Sequence, residues 1–224
     1  VEHLILFAKA ASVGLVKTRL VPPLTPEQAL DLHRAFVDDQ VRFVAACCRR
    51  GRAGVFCVDD LGRARPEAAL AGSLGLEVAL QGDGDLGERM VRAFAGAFAR
   101  GAGAAAILGA DAPTVPAERI EELFERLEAG ADAVIVPALD GGYVAIGLRG
   151  RHPELFADVE WGTGTVALST RVRAKVAGLR LEETRPWHDV DLPADLDRLA
   201  EEIARDPLRA PATARALARL PRSR

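Results

Sequence analysis

Short uninterrupted apolar runs alternate along this chain with stretches of helical period. The runs at residues 3–8, 53–58, 76–80, 104–110 and 132–138 are too short for typical helices and have the length of strands buried on both faces. Between them the helix signals are explicit. Thr25, Pro26 and Gln28 form a capping box with proline at the first helical position, which predicts a helix running to about Arg50. The stretches 85–101 and 116–130 start with acidic residues and stop at glycine. Strand and helix in alternation predict an α/β protein, a three-layer α/β/α sandwich with a mostly parallel sheet. Ligands in such folds sit beyond the carboxyl ends of the strands, so the strand ends are where chemistry is sought.

Composition narrows the class. With 224 residues, 49% hydrophobic and 27% charged, the chain can bury one substantial core, assigned here to residues 1–206. Residues 209–224 hold five arginines and no acid, so 207–224 reads as a basic helical tail with a solvated face. A formal net charge of −3 gives no general attraction to nucleic acid or to an acidic membrane, and any anion site must be local. Cys47, Cys48 and Cys57 are an odd, clustered set without CxxC spacing, which argues against a disulfide framework and against zinc. A reducing compartment suits them, and with no apolar stretch near the roughly 18 residues of a membrane span the expected location is cytoplasmic. Assembly into a homo-oligomer stays open.

Positive charge is written almost wholly as arginine: only Lys9, Lys17 and Lys175 are lysines, and two of the three flank the first strand end. The loop is neither a Walker A loop nor a GxGxxG turn, because Gly14 stands three positions before Lys17. Loop amides with Lys17 and Arg19 suit a diphosphate; a solvated surface loop with exposed cations is the plainer reading. At the second strand end, Asp111 in "ILGADAPTVP" has the position of a ligand for magnesium or manganese, and also that of an ordinary turn residue. The third carries Asp140, Gly141 and Gly142 between two apolar runs. That is a hairpin signal, in which the glycines can bring backbone close to a sugar or acceptor and Asp140 can bind a hydroxyl or act as base. The fourth is "WHDVDLPADL", where Asp191 before Leu192 and Pro193 reads as an N-cap and as a second metal carboxylate.

Six motifs in order, "FAKAASVGLVKTRL", "QGDGDLGERM", "GADAPTVP", "ALDGGYVAIGL", "VEWGTGTV" and "WHDVDLPADL", resemble a bacterial family of glycosyltransferase-like proteins first catalogued as a domain of unknown function and associated with radical-SAM and arsenosugar biosynthesis clusters. The resemblance spans roughly residues 4–199. It implies the nucleotide-diphospho-sugar transferase fold (GT-A, Rossmann-like), shared with molybdenum-cofactor and phospholactate guanylyltransferases. It also implies a nucleotide or nucleotide-sugar donor, a small-molecule acceptor and Mg2+ or Mn2+. By that resemblance Lys17 and Arg19 lie at the nucleotide phosphates, and Gln81, Asp85 and Gly87 near base and ribose. Asp111 and Asp191 hold the metal, Asp140, Gly141 and Gly142 lie near the donor sugar or acceptor, and Ala8, Lys9, Trp161 and Thr163 belong to the nucleotide or substrate site. The sequence departs from the family where Ala11-Ser12-Val13-Gly14 replaces "P-x-P-G", Ala110-Asp111-Ala112-Pro113 replaces "SDCP" and Asp191-Leu192-Pro193 replaces "D-T-P". The charged positions are kept, so these changes bear on loop shape and acceptor choice.

The implied reaction is glycosyl transfer, with Lys17, Arg19 and a metal stabilising the charge of the departing nucleoside diphosphate. Asp140 is the first candidate base and Glu160 the second. Nucleotidyl transfer with release of pyrophosphate is the alternative, and it needs a basic pocket for an acceptor phosphate, for which Arg171 and Arg173 are available. A nucleotide-sugar-binding module without turnover is a further alternative. Tyr143, Trp161 and Trp187, the only tyrosine and the only two tryptophans, all fall within these motifs and suit either ring stacking or core packing. His188 and Asp189, as neighbours on an extended segment, face opposite ways and are not taken as an acid/base pair.

Overall fold

The computed structural model describes residues 1–48 and 51–220. Seven strands form a single sheet: β1 (Glu2–Ala8), β2 (Ala53–Val58), β3 (Glu77–Leu80), β4 (Ala104–Gly109), β5 (Ala133–Pro137), β6 (Tyr143–Leu148) and β7 (Leu181–Glu183). Their spatial order is β3-β2-β1-β4-β6-β5-β7, and every neighbouring pair is parallel except the two that involve β6. That exception follows from the Asp140–Gly142 signal: a tight hairpin returns the chain antiparallel beside β5, and β6 is thereby inserted against β4.

The helices are α1 (Pro26–Cys48), α2 (Arg65–Ser73), α3 (Leu86–Ala99), α4 (Ala117–Glu128), α5 (Val166–Val176), α6 (Pro193–Arg205) and α7 (Pro211–Leu217). Alternation along β1 splits the core into two layers. Leu4 and Leu6 pack with Val37 and Val41 of α1, Ala71 of α2 and Ile120 and Leu123 of α4. Ile5 and Phe7 pack on the opposite face with Met90 and Phe94 of α3 and Ala167 and Ala174 of α5. A third cluster joins Leu32 and Phe36 of α1 to Val190, Leu199 and Ala210, and so fastens the 190 segment to the domain.

The expected helix starts are present. Thr25 and Gln28 exchange backbone-to-side-chain hydrogen bonds of 2.8 and 3.2 Å ahead of α1, and Asp85 and Glu88 do the same at α3 with 3.0 and 2.9 Å. The expected end of α1 near Arg50 lies outside the described residues. At α6 the expected cap is reversed. Asp191 does not cap with its side chain; instead Asp195, inside the helix, accepts from the N–H groups of Asp191 and Leu192 at 3.0 and 2.7 Å. The carboxylate oxygens of Asp191 are thereby left to Lys17 and Arg19 instead of the helix amides.

Within the segment expected as a basic tail, α7 lies against α1 and α6, where Ala214 and Leu217 join the third cluster. Asp39 of α1, 4% exposed, accepts from the N–H groups of Ala212 and Thr213 at 2.9 and 2.7 Å, placing a carboxylate on the open N-terminus of α7. Arg222 and Arg224 of that expectation lie outside the described residues. Among the described residues no helix is long and apolar enough to cross a membrane.

Candidate active site

From β1 the chain steps outward through β2 to β3 and then returns to β4 on the other side of β1, so the connections leaving β1 and β4 diverge. A crevice opens at such a switch point. Here it is a cleft of about 750 Å³ joined to a smaller lobe of about 230 Å³, with Phe7, Arg19, Trp161, Asp189 and Asp191 lining both.

Lys17 is the hinge of the cleft. Its Nζ lies 2.5 Å from Asp111 Oδ1 and 3.1 Å from Asp191 Oδ1, and donates to the Val190 carbonyl at 2.7 Å. The side chain is 3% exposed and the ammonium stands 5.5 Å from the Phe36 ring centroid. The expectation of an exposed loop cation is therefore overturned: the loop folds its lysine inward because two strand-end carboxylates face it. Lys17 adopts φ 49°, a left-handed conformation uncommon for a residue with a Cβ, and its ion pairs hold it there. Burial pulls the Lys17 pKa down, but the charges of Asp111 and Asp191 outweigh it and the ammonium is held above its usual range. For Asp111 burial pushes upward, and Lys17 and His33 outweigh it and hold the carboxyl below its usual range. Both aspartates remain open to the cleft, Asp111 with 47% of its side chain exposed and Asp191 with 37%. Arg19, from the 3-10 turn Thr18–Leu20, approaches Asp191 from outside, with Nη1 3.7 Å from Oδ2.

The fit of a divalent ion can be judged from this donor set. Asp111 and Asp191 are hard oxygen donors converging on one cation, as magnesium and manganese prefer. Among the described residues no group of three or more His, Cys, Asp or Glu surrounds them, so phosphate and water oxygens would fill the remaining positions. The residues present fit a metal of that kind.

The other expected residues separate into those that face the cleft and those that support it. Ala8 and Lys9 lie at the end of β1 on its wall. The Ala8 carbonyl accepts from Gln81 Nε2 at 2.9 Å, and His33 Nε2 lies 2.9 Å from the Lys9 carbonyl. Gln81 and Asp85 also line the larger cleft, although Gln81 Nε2 braces β1 to β2 through Ala8 and Cys57 and the Asp85 carboxylate caps α3. Gly87 is buried away from the lining; a Cβ there would press on the Phe156 carbonyl and the Trp161 ring at 2.8 and 3.0 Å, so it is glycine to let Trp161 pack close. Gly141, at φ 93°, is likewise outside the lining, where a Cβ would run into the Gly164 carbonyl. Gly142 and Asp140 line the smaller lobe, with the Gly142 N–H donating to Asp140 Oδ1 at 2.9 Å. Trp161 lines both lobes and Thr163 the smaller one.

Five considered residues point elsewhere. Glu160 is absent from both linings, Arg171 pairs with Glu183 at 2.5 Å, and Arg173 donates to the Asp158 carbonyl at 3.1 Å, so these two arginines do not form a phosphate pocket in the cleft. Trp187 packs on the first core cluster and stacks on His188, ring centroids 5.3 Å apart. His188 itself is buried, 2.7 Å from Glu202.

Sequence reasoning passed over His33 and Arg89 and set Asp189 aside, and all three line the larger cleft. For Asp189 a signal existed. It stands two residues before Asp191 on an extended segment, the spacing that puts both on one face. Burial, followed by the neighbouring charges of Asp140, Asp191 and Asp111, pushes its carboxyl up to about 6.

Comparison with known proteins bears on the family and the fold. The family model described as "Uncharacterized protein conserved in bacteria (DUF2064)" matches residues 43–163. A solved structure described as a "putative nucleotide-diphospho-sugar transferase" from Desulfovibrio desulfuricans G20 is 31% identical, with 97% of this chain and 94% of that chain covered and a TM-score of 0.86. A cytidylyltransferase from Leptospira borgpetersenii (12% identity, 97% and 92% covered, TM-score 0.55) shares the fold. So does a CMP:2-keto-3-deoxy-manno-octonic acid synthetase complexed with CTP (13% identity, 92% and 99% covered, TM-score 0.53). No curated protein matches the sequence. The matched family model and the 31% identical structure over nearly the whole chain together establish that this protein belongs to the DUF2064 family and has the nucleotide-diphospho-sugar transferase fold.

Proposed function

We propose that the protein is a metal-dependent transferase that moves a glycosyl group from a nucleotide-diphospho-sugar to a small-molecule acceptor. The observation that carries this reading is the convergence of Lys17, Arg19, Asp111 and Asp191 at the switch point of the sheet. When bound, magnesium or manganese on Asp111 and Asp191 would supply positive charge for a leaving diphosphate. Arg19, half in solvent beside Asp191, is placed to receive phosphate oxygens through its planar fork. Lys17 keeps the two carboxylates together and adds a second cation at the same point. Asp140, on the hairpin turn and lining the smaller lobe, is positioned to accept a proton from an acceptor hydroxyl.

Nucleotidyl transfer is the second reading, favoured by the fold shared with cytidylyltransferases. The engagement of Arg171 and Arg173 outside the cleft removes the phosphate pocket that reading had drawn upon. Incubation with manganese and a panel of nucleotide sugars and nucleoside triphosphates decides between them. Release of nucleoside diphosphate is the expected outcome; release of pyrophosphate would replace glycosyl with nucleotidyl transfer, and neither product would favour a binding module.

A further inference from the structure

The two lobes of the cleft differ in charge. The larger one sets Lys9, Lys17, Arg19 and Arg89 against Asp85, Asp111, Asp189 and Asp191, so its charges balance. The smaller one is walled by Asp140, Asp189 and Asp191, and among the described residues Arg19, already beside Asp191, is its single cation. Its remaining surface is largely apolar, with edges of Phe7, Met90, Ile107 and Ile146 from the second core layer and the Trp161 ring from the loop before α5.

We propose that the smaller lobe is the acceptor subsite and that it selects an uncharged or cationic hydroxyl compound with an apolar skeleton, rejecting phosphorylated and carboxylated acceptors. The proposal rests on the transferase reading and adds the substrate class. Asp191 is already matched by Lys17 and Arg19, whereas Asp140 and Asp189 have no ion-pair partner among the described residues, so these two set a negative field in a recess walled partly by low-dielectric side chains. An anionic acceptor entering there loses solvation and meets repulsion, whereas a hydroxyl or ammonium gains acceptors for its protons. The apolar walls reward a skeleton that leaves water, and a volume of about 230 Å³ suits a compact ring with a short substituent. Asp140 lines this space, and with Oδ1 accepting from the Gly142 N–H its second oxygen is left for a ligand.

Tyrosol, tyramine and 4-hydroxyphenylacetate share one aromatic skeleton and differ in charge, and their binding to the full chain can be read by ligand-observed NMR without any donor. Tyramine should bind most tightly, tyrosol next, and 4-hydroxyphenylacetate at least about tenfold more weakly than tyrosol. Asp140→Asn keeps a side-chain oxygen for the Gly142 N–H, and together with Asp189→Asn it should bring tyramine and 4-hydroxyphenylacetate to within about threefold of each other, with the fold checked by circular dichroism. If the double variant does not fold, either single variant should narrow the gap. Failure of tyramine to bind at millimolar concentration would overturn the proposal. So would equal or tighter binding of 4-hydroxyphenylacetate than of tyrosol, or an undiminished gap between tyramine and 4-hydroxyphenylacetate in the folded variants. Displacement of tyramine by GDP-mannose or UDP-glucose but not by GDP or UDP would give the lobe to the donor's sugar instead. The binding order is independent of diphosphate release, so this proposal and the transferase reading stand or fall separately.

Discussion

Lys17 is buried with its charge shared between Asp111 and Asp191, and removing that charge leaves two carboxylates facing each other across a half-open cleft. Lys17→Met keeps the stem against Phe36 while deleting the ammonium. Breaking a fully buried pair costs about 3–5 kcal/mol. The exposure of both aspartates screens part of this, so a loss of about 1–2 kcal/mol is expected in EDTA. Millimolar manganese should restore part of it by neutralising the same oxygens. Denaturant titrations with and without the ion measure both effects, and equal stability of variant and parent in EDTA would show that the ion pairs contribute nothing. His33, behind the pair, has its pKa lowered, first by burial.

At the scale of elements, the segment between β7 and α6 carries Asp189 and Asp191, and it is pinned from three sides. Val190 N–H donates to the Asp111 carbonyl at 2.9 Å, Asp195 holds the turn into α6, and Glu202 of α6 lies 2.7 Å from His188 and accepts from Thr114 at 2.8 Å. Burial pushes the Glu202 carboxyl up, and the hydrogen bonds from His188 and Thr114 outweigh it and hold it below its usual range. A depressed carboxyl contributes stability above its unfolded pKa, about 4.3 for Glu, and loses it as pH falls through the lower folded value. Glu202→Gln can keep one of the two partners, so it should cost about 1–2 kcal/mol near pH 7, with the gap closing below about pH 4. Urea unfolding across that range tests it, and a gap that stays constant would deny Glu202 its charged role. The same variant should weaken nucleotide binding, since it loosens the segment that places Asp191.

For the whole molecule, ligand binding should appear as stability. A nucleoside diphosphate with manganese at about 100 times Kd adds roughly 2.7 kcal/mol, which raises the Tm of a chain this size by about 5–10 °C. Asp111→Asn should lose the manganese-dependent part of that shift and retain its unliganded fold, because its carboxylate is half open to the cleft and lies outside both sheet cores. A full shift in the variant would remove Asp111 from the metal site. The two core layers and the third cluster give the cleft a rigid frame, with the switch point fixed by pairing of β1 to both β2 and β4.

The local code was enough for much of this. Apolar runs of strand length placed β1 to β5 within a residue or two; β1, β2, β4 and β5 are buried as continuous hydrophobicity demands, whereas β3, expected to be buried as well, lies at the sheet edge with Leu80 exposed. The capping box at Thr25 and the acidic start at Asp85 marked helix beginnings, since those side chains satisfy nearby amides whatever the tertiary context. The three-residue strand β7 carried too little pattern to define. Position along the chain also exposed Asp111, Asp140 and Asp191 as strand-end carboxylates. What sequence left open was orientation: that Lys17 turns inward in a left-handed conformation, that Asp195 and not Asp191 caps α6, that Gly87 and Gly141 serve close packing, and that Asp189 faces the cleft while His188 faces the core. Local propensity sets which backbone a residue prefers; which partner its side chain meets is settled by contacts more than a hundred residues away, and only tertiary structure brings Lys17 to Asp191.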